Sequence, residues 1–386
     1  MSKSLCSKKY SQLGGGGLAE SADLAKSFDD VVDFTLGDPD ITTPLPIIEA
    51  AFDDAKAGHT HYTESSGDPE LVQAIMDFQQ ETYNIRWEKE NIFVTTSACH
   101  GMWLVLETMC DPGDEVLIIE PYFSPYADQV KMAGAVPVFV ETDPDIGFVP
   151  SIESIREKVT DKTKALIVNT PSNPSGLCLE KETLEAIGEL AEEKDFFIIA
   201  DDIYTAFSYD APFVPMSSMG RFKDRTVTLR SFSKNFAMTG WRVGYILAAP
   251  EFISAVKFVN EQNVYAAPSI SQRAALYALK HRSDVQPPLI DEFKKRTFHA
   301  YERLKKLKNI RVAEPRGTFY LFVDIRPTGK TEDEVWRLLM EEARVLTVKG
   351  SAFGKSGEGF LRLAVTVGVE DIDRAFDRIE QMELFK

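Results

Sequence analysis

Thr228-Leu-Arg-Ser-Phe-Ser-Lys-Asn-Phe-Ala-Met-Thr-Gly-Trp-Arg-Val-Gly-Tyr245 is the stretch from which the rest of this 386-residue chain is read. It emerges from an apolar, β-branched run at residues 226–229, the composition of a strand buried in a parallel sheet. Two serines, Ser231 and Ser233, then flank Lys234, and the stretch closes on Gly240, Arg242 and Gly244. A lysine between short hydroxyl residues just past a strand end is poorly placed for a solvated face. Held near an anion and partly desolvated, its amine loses basicity and becomes nucleophilic. Arg242 offers the same anion a rigid fork, and the glycines let backbone come close.

Three further strands are predicted in which a polar residue arrives at the carboxyl end. Residues 165–168 lead into Asn169-Thr-Pro-Ser-Asn-Pro-Ser-Gly176, and residues 196–200 into Asp201-Asp-Ile-Tyr204. Residues 92–96 run into Ser97-Ala-Cys-His-Gly101 and an apolar helix over 102–109. Small residues at such a strand-to-helix turn leave the first N–H groups free for an anion. Between the first two strands, residues 180–194 carry Leu184, Ile187, Leu190 and Ala191 on one face, the pattern of a crossover helix. Another buried strand, 116–119, ends in Glu120-Pro-Tyr-Phe123. Open α/β sheets bind ligands beyond the carboxyl ends of their strands, so these residues are expected to converge.

The pattern S-x-S-K-x-x-x-x-x-G-x-R-x-G-Y resembles the cofactor-lysine signature of the class I (fold type I) aminotransferases, and the resemblance extends over nearly the whole chain from about Leu36. It implies pyridoxal 5'-phosphate as cofactor, Lys234 as the residue forming its Schiff base, and Ser231 and Arg242 on its phosphate. It further implies phosphate contacts from the backbone of Ala98 and Cys99, and Phe123 (Tyr122 second) stacked on the pyridine ring. Asp201 would pair the ring nitrogen, whose protonation the chemistry needs. Asn173 and Tyr204 would reach the phenolic oxygen, while Asp202 has the wrong parity and reads as structural. Gly37, in Thr35-Leu-Gly-Asp-Pro-Asp40, and Arg362, in Gly359-Phe-Leu-Arg-Leu-Ala364, would receive the substrate carboxylate. A lone arginine in an apolar strand requires an anionic partner if buried. Tyr62, spaced like the family's Y-x-x-x-x-G tyrosine, would reach the neighbouring subunit's phosphate, implying a homodimer with shared active sites. His61 stands where many relatives carry a lysine.

The expected fold is α/β: a mostly parallel seven-stranded sheet with helices on both faces, plus a smaller α+β domain. The predicted boundaries are 46–286 for the large unit and 287–386 for the small one, which residues 1–45 join. Within the small unit, helices are expected over 290–307, 332–343 and 369–382, with an alternating strand over 317–324. Residues 14–17, four glycines, read as a flexible connection and 18–28 as helical. The expected reaction moves an amino group from an L-amino acid to a 2-oxo acid, 2-oxoglutarate foremost. A carbon–sulfur β-lyase on the same fold is the nearer alternative, and a non-catalytic amino-acid sensor the farther one.

Bulk properties exclude other classes. A net charge of −17 with no basic cluster argues against nucleic acid or an anionic membrane surface. No apolar run reaches the roughly 18–20 residues of a membrane span, and the N-terminus lacks the apolar core of a secretory signal. Four cysteines without metal spacing point to reduced thiols and a cytoplasmic location, and His59 and His61 lack further ligands for a metal.

Overall fold

The computed structural model describes residues 5, 7, 10 and 28–386, so the expectations for 14–17 and most of 18–28 lie outside the described residues. In chain order the strands are β1 (Val32–Asp33), β2 (Ile92–Thr95), β3 (Glu115–Ile119), β4 (Val136–Val140), β5 (Thr163–Asn169), β6 (Phe197–Asp201), β7 (Thr226–Ser231) and β8 (Gly244–Leu247). They continue with β9 (Arg311–Val312), β10 (Tyr320–Asp324), β11 (Val345–Leu346), β12 (Val348–Lys349) and β13 (Phe360–Ala364). Seven of them form one sheet in the order β2-β8-β7-β6-β5-β3-β4. β8 runs antiparallel to both its neighbours, and the other six strands share one direction. This is the α/β architecture expected, with helices covering both faces.

The central strands read as continuous apolar runs because both of their faces are covered. Helix Lys181–Lys194 buries the Leu184, Ile187, Leu190 and Ala191 face predicted for it. Helix Ala98–Met109 buries Met102, Leu104, Val105, Leu106 and Met109, and starts earlier than its apolar run because Ser97 caps it. Two strands went unread in the sequence. β4 carries a proline and has an exposed first residue, the marks of the edge position it occupies. β8 follows β7 through residues 232–243 with no crossover helix, so it returns antiparallel beside it. Phe232, Phe236, Met238 and Val243 are buried in that connection, in one cluster with Tyr245 and Leu247. These anchors fix the backbone on either side of Lys234.

A second, antiparallel sheet, β12-β13-β10-β9, lies toward the C-terminus, with Arg362 of β13 opposite Phe322 of β10. Helices Pro287–Leu304 and Val369–Ile379 accompany it, and helix Glu332–Leu338 continues as a π-turn over Leu339–Ala343. Its core brings together Val32, Phe34, Trp336 and Phe376. Residues near 32–40 therefore attach here: β1 pairs parallel with β11, Ala364 N–H donates to Phe34 O at 2.8 Å, and Arg296 Nη1 donates to Asp40 Oδ1 at 2.6 Å. That attachment carries the Leu36–Asp38 segment across the carboxyl ends of the large sheet.

Candidate active site

A cavity of about 320 Å³ opens at the ends of β6 and β7, beside the start of helix Ala98–Met109. Of the residues singled out in the sequence, Gly37, Ala98, Cys99, Phe123, Asp201, Ser231, Lys234 and Arg242 line it. Asn173, Tyr204 and Arg362 are outside its wall, in a buried cluster adjoining Gly37. Tyr62 is at the surface, 86% exposed, with its ring edge-on to Tyr265 at 5.1 Å.

Lys234 Nζ donates to the Gly37 carbonyl. Burial lowers its amine to about 8; Asp38 opposes the shift, and Arg242 and Arg362 add to it. The lysine is thus a weak enough base to be partly neutral near physiological pH, as an amine nucleophile requires.

Asp201 ends β6 and turns into the cavity, where Tyr126 Oη donates to its Oδ2. Its Oδ1 is buried with no hydrogen-bond partner among the described residues. Burial pushes the carboxyl up to about 7, the Tyr126 bond opposes this, and the charge of Asp202 adds to it. Asp202 itself faces away and lies 3.4 Å from Arg230 Nη2, as its parity implied. Burial lifts it to about 6 against the pull of Arg230.

The opposite corner gathers hydrogen-bond donors. Ser97 sits at φ 85° and its Oγ accepts from His100 N–H at 3.3 Å, which leaves the first-turn N–H groups of Ala98 and Cys99 beyond any helical acceptor. Ser231 Oγ accepts from Ser233 N–H at 3.1 Å. Arg242 adopts φ 51° and Nη1 donates to Thr239 O at 2.5 Å. Gly244 is required here: a Cβ would stand 2.6 Å from Arg230 O and 2.9 Å from Ala98 N.

In the adjoining cluster, Arg362 Nη1 donates to Asn173 Oδ1 at 3.0 Å and Nη2 to Thr35 O. Tyr204 and Tyr320 share a hydrogen bond of 2.9 Å between hydroxyls. Gly37 joins cluster and cavity, since a Cβ on it would come within 1.9 Å of Tyr320 Oη. Sequence reasoning missed Tyr126 and Tyr320. For Tyr320 the available signal was a tyrosine opening an apolar strand, which when buried has to place its hydroxyl on a partner, whereas Tyr126 sits in a mixed polar helix that carries no such mark. Tyr122, the second choice for a stacking aromatic, is stacked on Phe139 instead.

The family model described as aminotransferase class I and II matches residues 29–379. The chain is 35% identical over 369 residues to an aspartate aminotransferase of Pyrococcus horikoshii, covering 94% of this chain and 93% of that one. Among solved structures, the aromatic aminotransferase from Pyrococcus horikoshii OT3 superposes with a TM-score of 0.88 at 35% identity, over 94% of this chain and 98% of that one. The aspartate aminotransferase from Thermus thermophilus with maleate gives 0.91 at 31% identity, over 98% and 99%.

Proposed function

The chain belongs to the class I and II aminotransferases and is a transaminase, and from that premise we propose that its cavity holds pyridoxal 5'-phosphate and that its amino acceptor is 2-oxoglutarate. The observation that carries the cofactor reading is Asp201 Oδ1, a buried carboxylate oxygen at the cavity wall without a partner among the described residues. An acid raised to about 7 by burial is returned to its charged form by a cationic ring N–H, which the pyridine nitrogen supplies. Ser231, Arg242 and the Ala98 and Cys99 N–H groups fit a phosphate, and Phe123 fits the flat ring. The bound cofactor supplies an electron sink for the substrate's α-carbon.

The protein's own residues then have these roles. Arg362 takes the substrate α-carboxylate by a two-pronged hydrogen bond, with Asn173 and the Gly37 backbone beside it. Lys234 Nζ, released from its other contacts, takes the proton from the substrate's α-carbon as general base and, as general acid, would deliver it to the cofactor carbon bonded to the transferred nitrogen. Tyr126 holds Asp201 in place, and Tyr204, in the adjoining cluster, would supply a hydroxyl to the cofactor's phenolic oxygen. The test is a visible spectrum of the purified protein, titrated with single amino acids and then with 2-oxoglutarate. Cofactor absorbance that changes with an amino acid and reverts with the oxo acid is the expected result. No cofactor absorbance after addition of pyridoxal phosphate would refute the reading.

We also propose a cytoplasmic homodimer in which Tyr62 serves the partner's site, and a division into 46–286 and 287–386 with 1–45 joined to the latter. Support for the shared site is the exposure of Tyr62 together with Leu45, Phe52 and Tyr265, apolar surface that a second copy would cover. Support for the division is the separation of the two sheets and the β1–β11 pairing. If the sites are shared, refolding Lys234→Ala together with Tyr62→Ala should restore activity neither variant has alone, because one site of the mixed dimer then carries both native residues. Activity no greater than the sum of the two separate proteins would exclude sharing.

A further inference from the structure

Arg362 is buried, and no carboxylate among the described residues lies within ion-pairing distance of it. Such a cation is costly in a protein interior unless something stands in for the missing charge. Here the acceptors are neutral, Asn173 Oδ1 and Thr35 O, and Nε has none. Two aromatic rings pack against the guanidinium instead: its Cζ lies over the Tyr320 ring, 4.8 Å from the centroid, and over the Phe353 ring at 4.8 Å. Ring faces attract a cation without neutralising it. The full positive charge therefore stays available to a ligand, and the guanidinium plane is fixed before the ligand arrives. Tyr320 does a second thing, because its hydroxyl is bonded to that of Tyr204.

We propose that Tyr320 is a positioning residue for both sides of the site: its ring, with that of Phe353, holds Arg362 flat for the substrate carboxylate, while its hydroxyl holds Tyr204. The inference rests on the assignment of the carboxylate to Arg362 made above and extends it to residues that do not touch substrate. Both rings are themselves well fixed. Tyr320 is in β10 and Tyr320 N–H donates to Thr318 Oγ1 at 3.0 Å, while the Phe353 carbonyl accepts from Tyr122 N–H at 2.9 Å.

The test uses the holoenzyme and its Tyr320→Phe, Tyr320→Leu, Phe353→Leu and Arg362→Met variants. Calorimetry gives the affinity for 3-phenylpropanoate, a carboxylate with no amino group, and steady-state kinetics give kcat. Tyr320→Phe keeps the ring, so the affinity stays within twofold while kcat falls about three- to tenfold, the share of one hydrogen bond. Tyr320→Leu and Phe353→Leu each weaken carboxylate binding about tenfold through loss of a ring face. Arg362→Met weakens it about a hundredfold or more. A merely structural role would not split affinity from kcat between the phenylalanine and leucine variants. Unchanged affinity in both leucine variants, with the Arg362→Met loss intact, overturns the proposal alone. Unchanged affinity in Arg362→Met overturns the assignment of the carboxylate as well. Should one leucine variant fail to fold, the other together with Tyr320→Phe decides.

Discussion

Lys234→Ala is expected to lower kcat by about 10⁴-fold, the upper end of what a positioned proton-transfer group contributes. The other ionisable groups at the wall are already engaged: Asp38 Oδ1 accepts from Thr239 Oγ1 at 2.6 Å and Cys99 Sγ from Gln129 Nε2 at 3.5 Å. Arg242 is bonded to Thr239 O, and Asp201 is tied to Tyr126. The donor KM should move only a few-fold, because Arg362 and Asn173 keep their mutual bond when the lysine is cut back. Stability should not suffer. The lysine contributes a buried amine whose charged form is disfavoured by burial, and the methyl group that replaces it leaves Phe232 and Phe236 in their cluster. The measurement is kcat and KM on the purified variant alongside its thermal midpoint. Activity within tenfold of the parent would remove Lys234 from the chemistry.

Much of this site was legible because its residues sit where chain direction alone delivers them. Asp201, Ser231 and Lys234 follow apolar strands whose parallel order puts their carboxyl ends together, and the sheet realises that order. The parity of Asp201 and Asp202 was readable for the same reason, since neighbouring residues leaving a strand face opposite ways. What was hidden depends on contacts between distant segments. Tyr126 reaches Asp201 across 75 residues, and Tyr320 reaches Tyr204 across 116. No local periodicity marks either hydroxyl as belonging to a site. β8 was missed on similar grounds: a glycine and the three apolar residues behind it become a strand only through pairing with β2 and β7. Gly37 shows the intermediate case. Its segment reads as a turn, and its role depends on the β1–β11 pairing that carries it over the cavity.

Asp201→Asn and Asp202→Asn, changes to adjacent carboxylates, should fail in opposite ways. The first is expected to lower kcat about 10²- to 10³-fold and to weaken cofactor binding. It removes one charge of a buried pair between carboxylate and ring nitrogen, a loss of about 3–5 kcal/mol when a single partner is cut. Asp202→Asn leaves the cavity wall intact but strands Arg230, whose Nη2 lies 3.4 Å from Asp202 among the rings of Tyr83 and Phe213. The same penalty then falls on folding, so this variant should lose about 3–5 kcal/mol of stability while kcat stays within a few-fold. The apoprotein offers an independent check by pH. The folded value of Asp201, about 7, lies above the ordinary carboxyl value of 3.8, so between them the folded chain holds a proton the unfolded chain has released. Stability therefore falls as pH rises through that window. Asp202, raised to about 6, titrates in the same range but is present in both proteins, so its share largely cancels from the comparison of parent with Asp201→Asn. The parent apoprotein should accordingly lose stability relative to Asp201→Asn from about pH 4 to about pH 7. Denaturant melts at several pH values measure this directly. A difference that stays flat across the window would mean Asp201 is solvated and ordinary, and would leave the ring-nitrogen assignment without its physical basis.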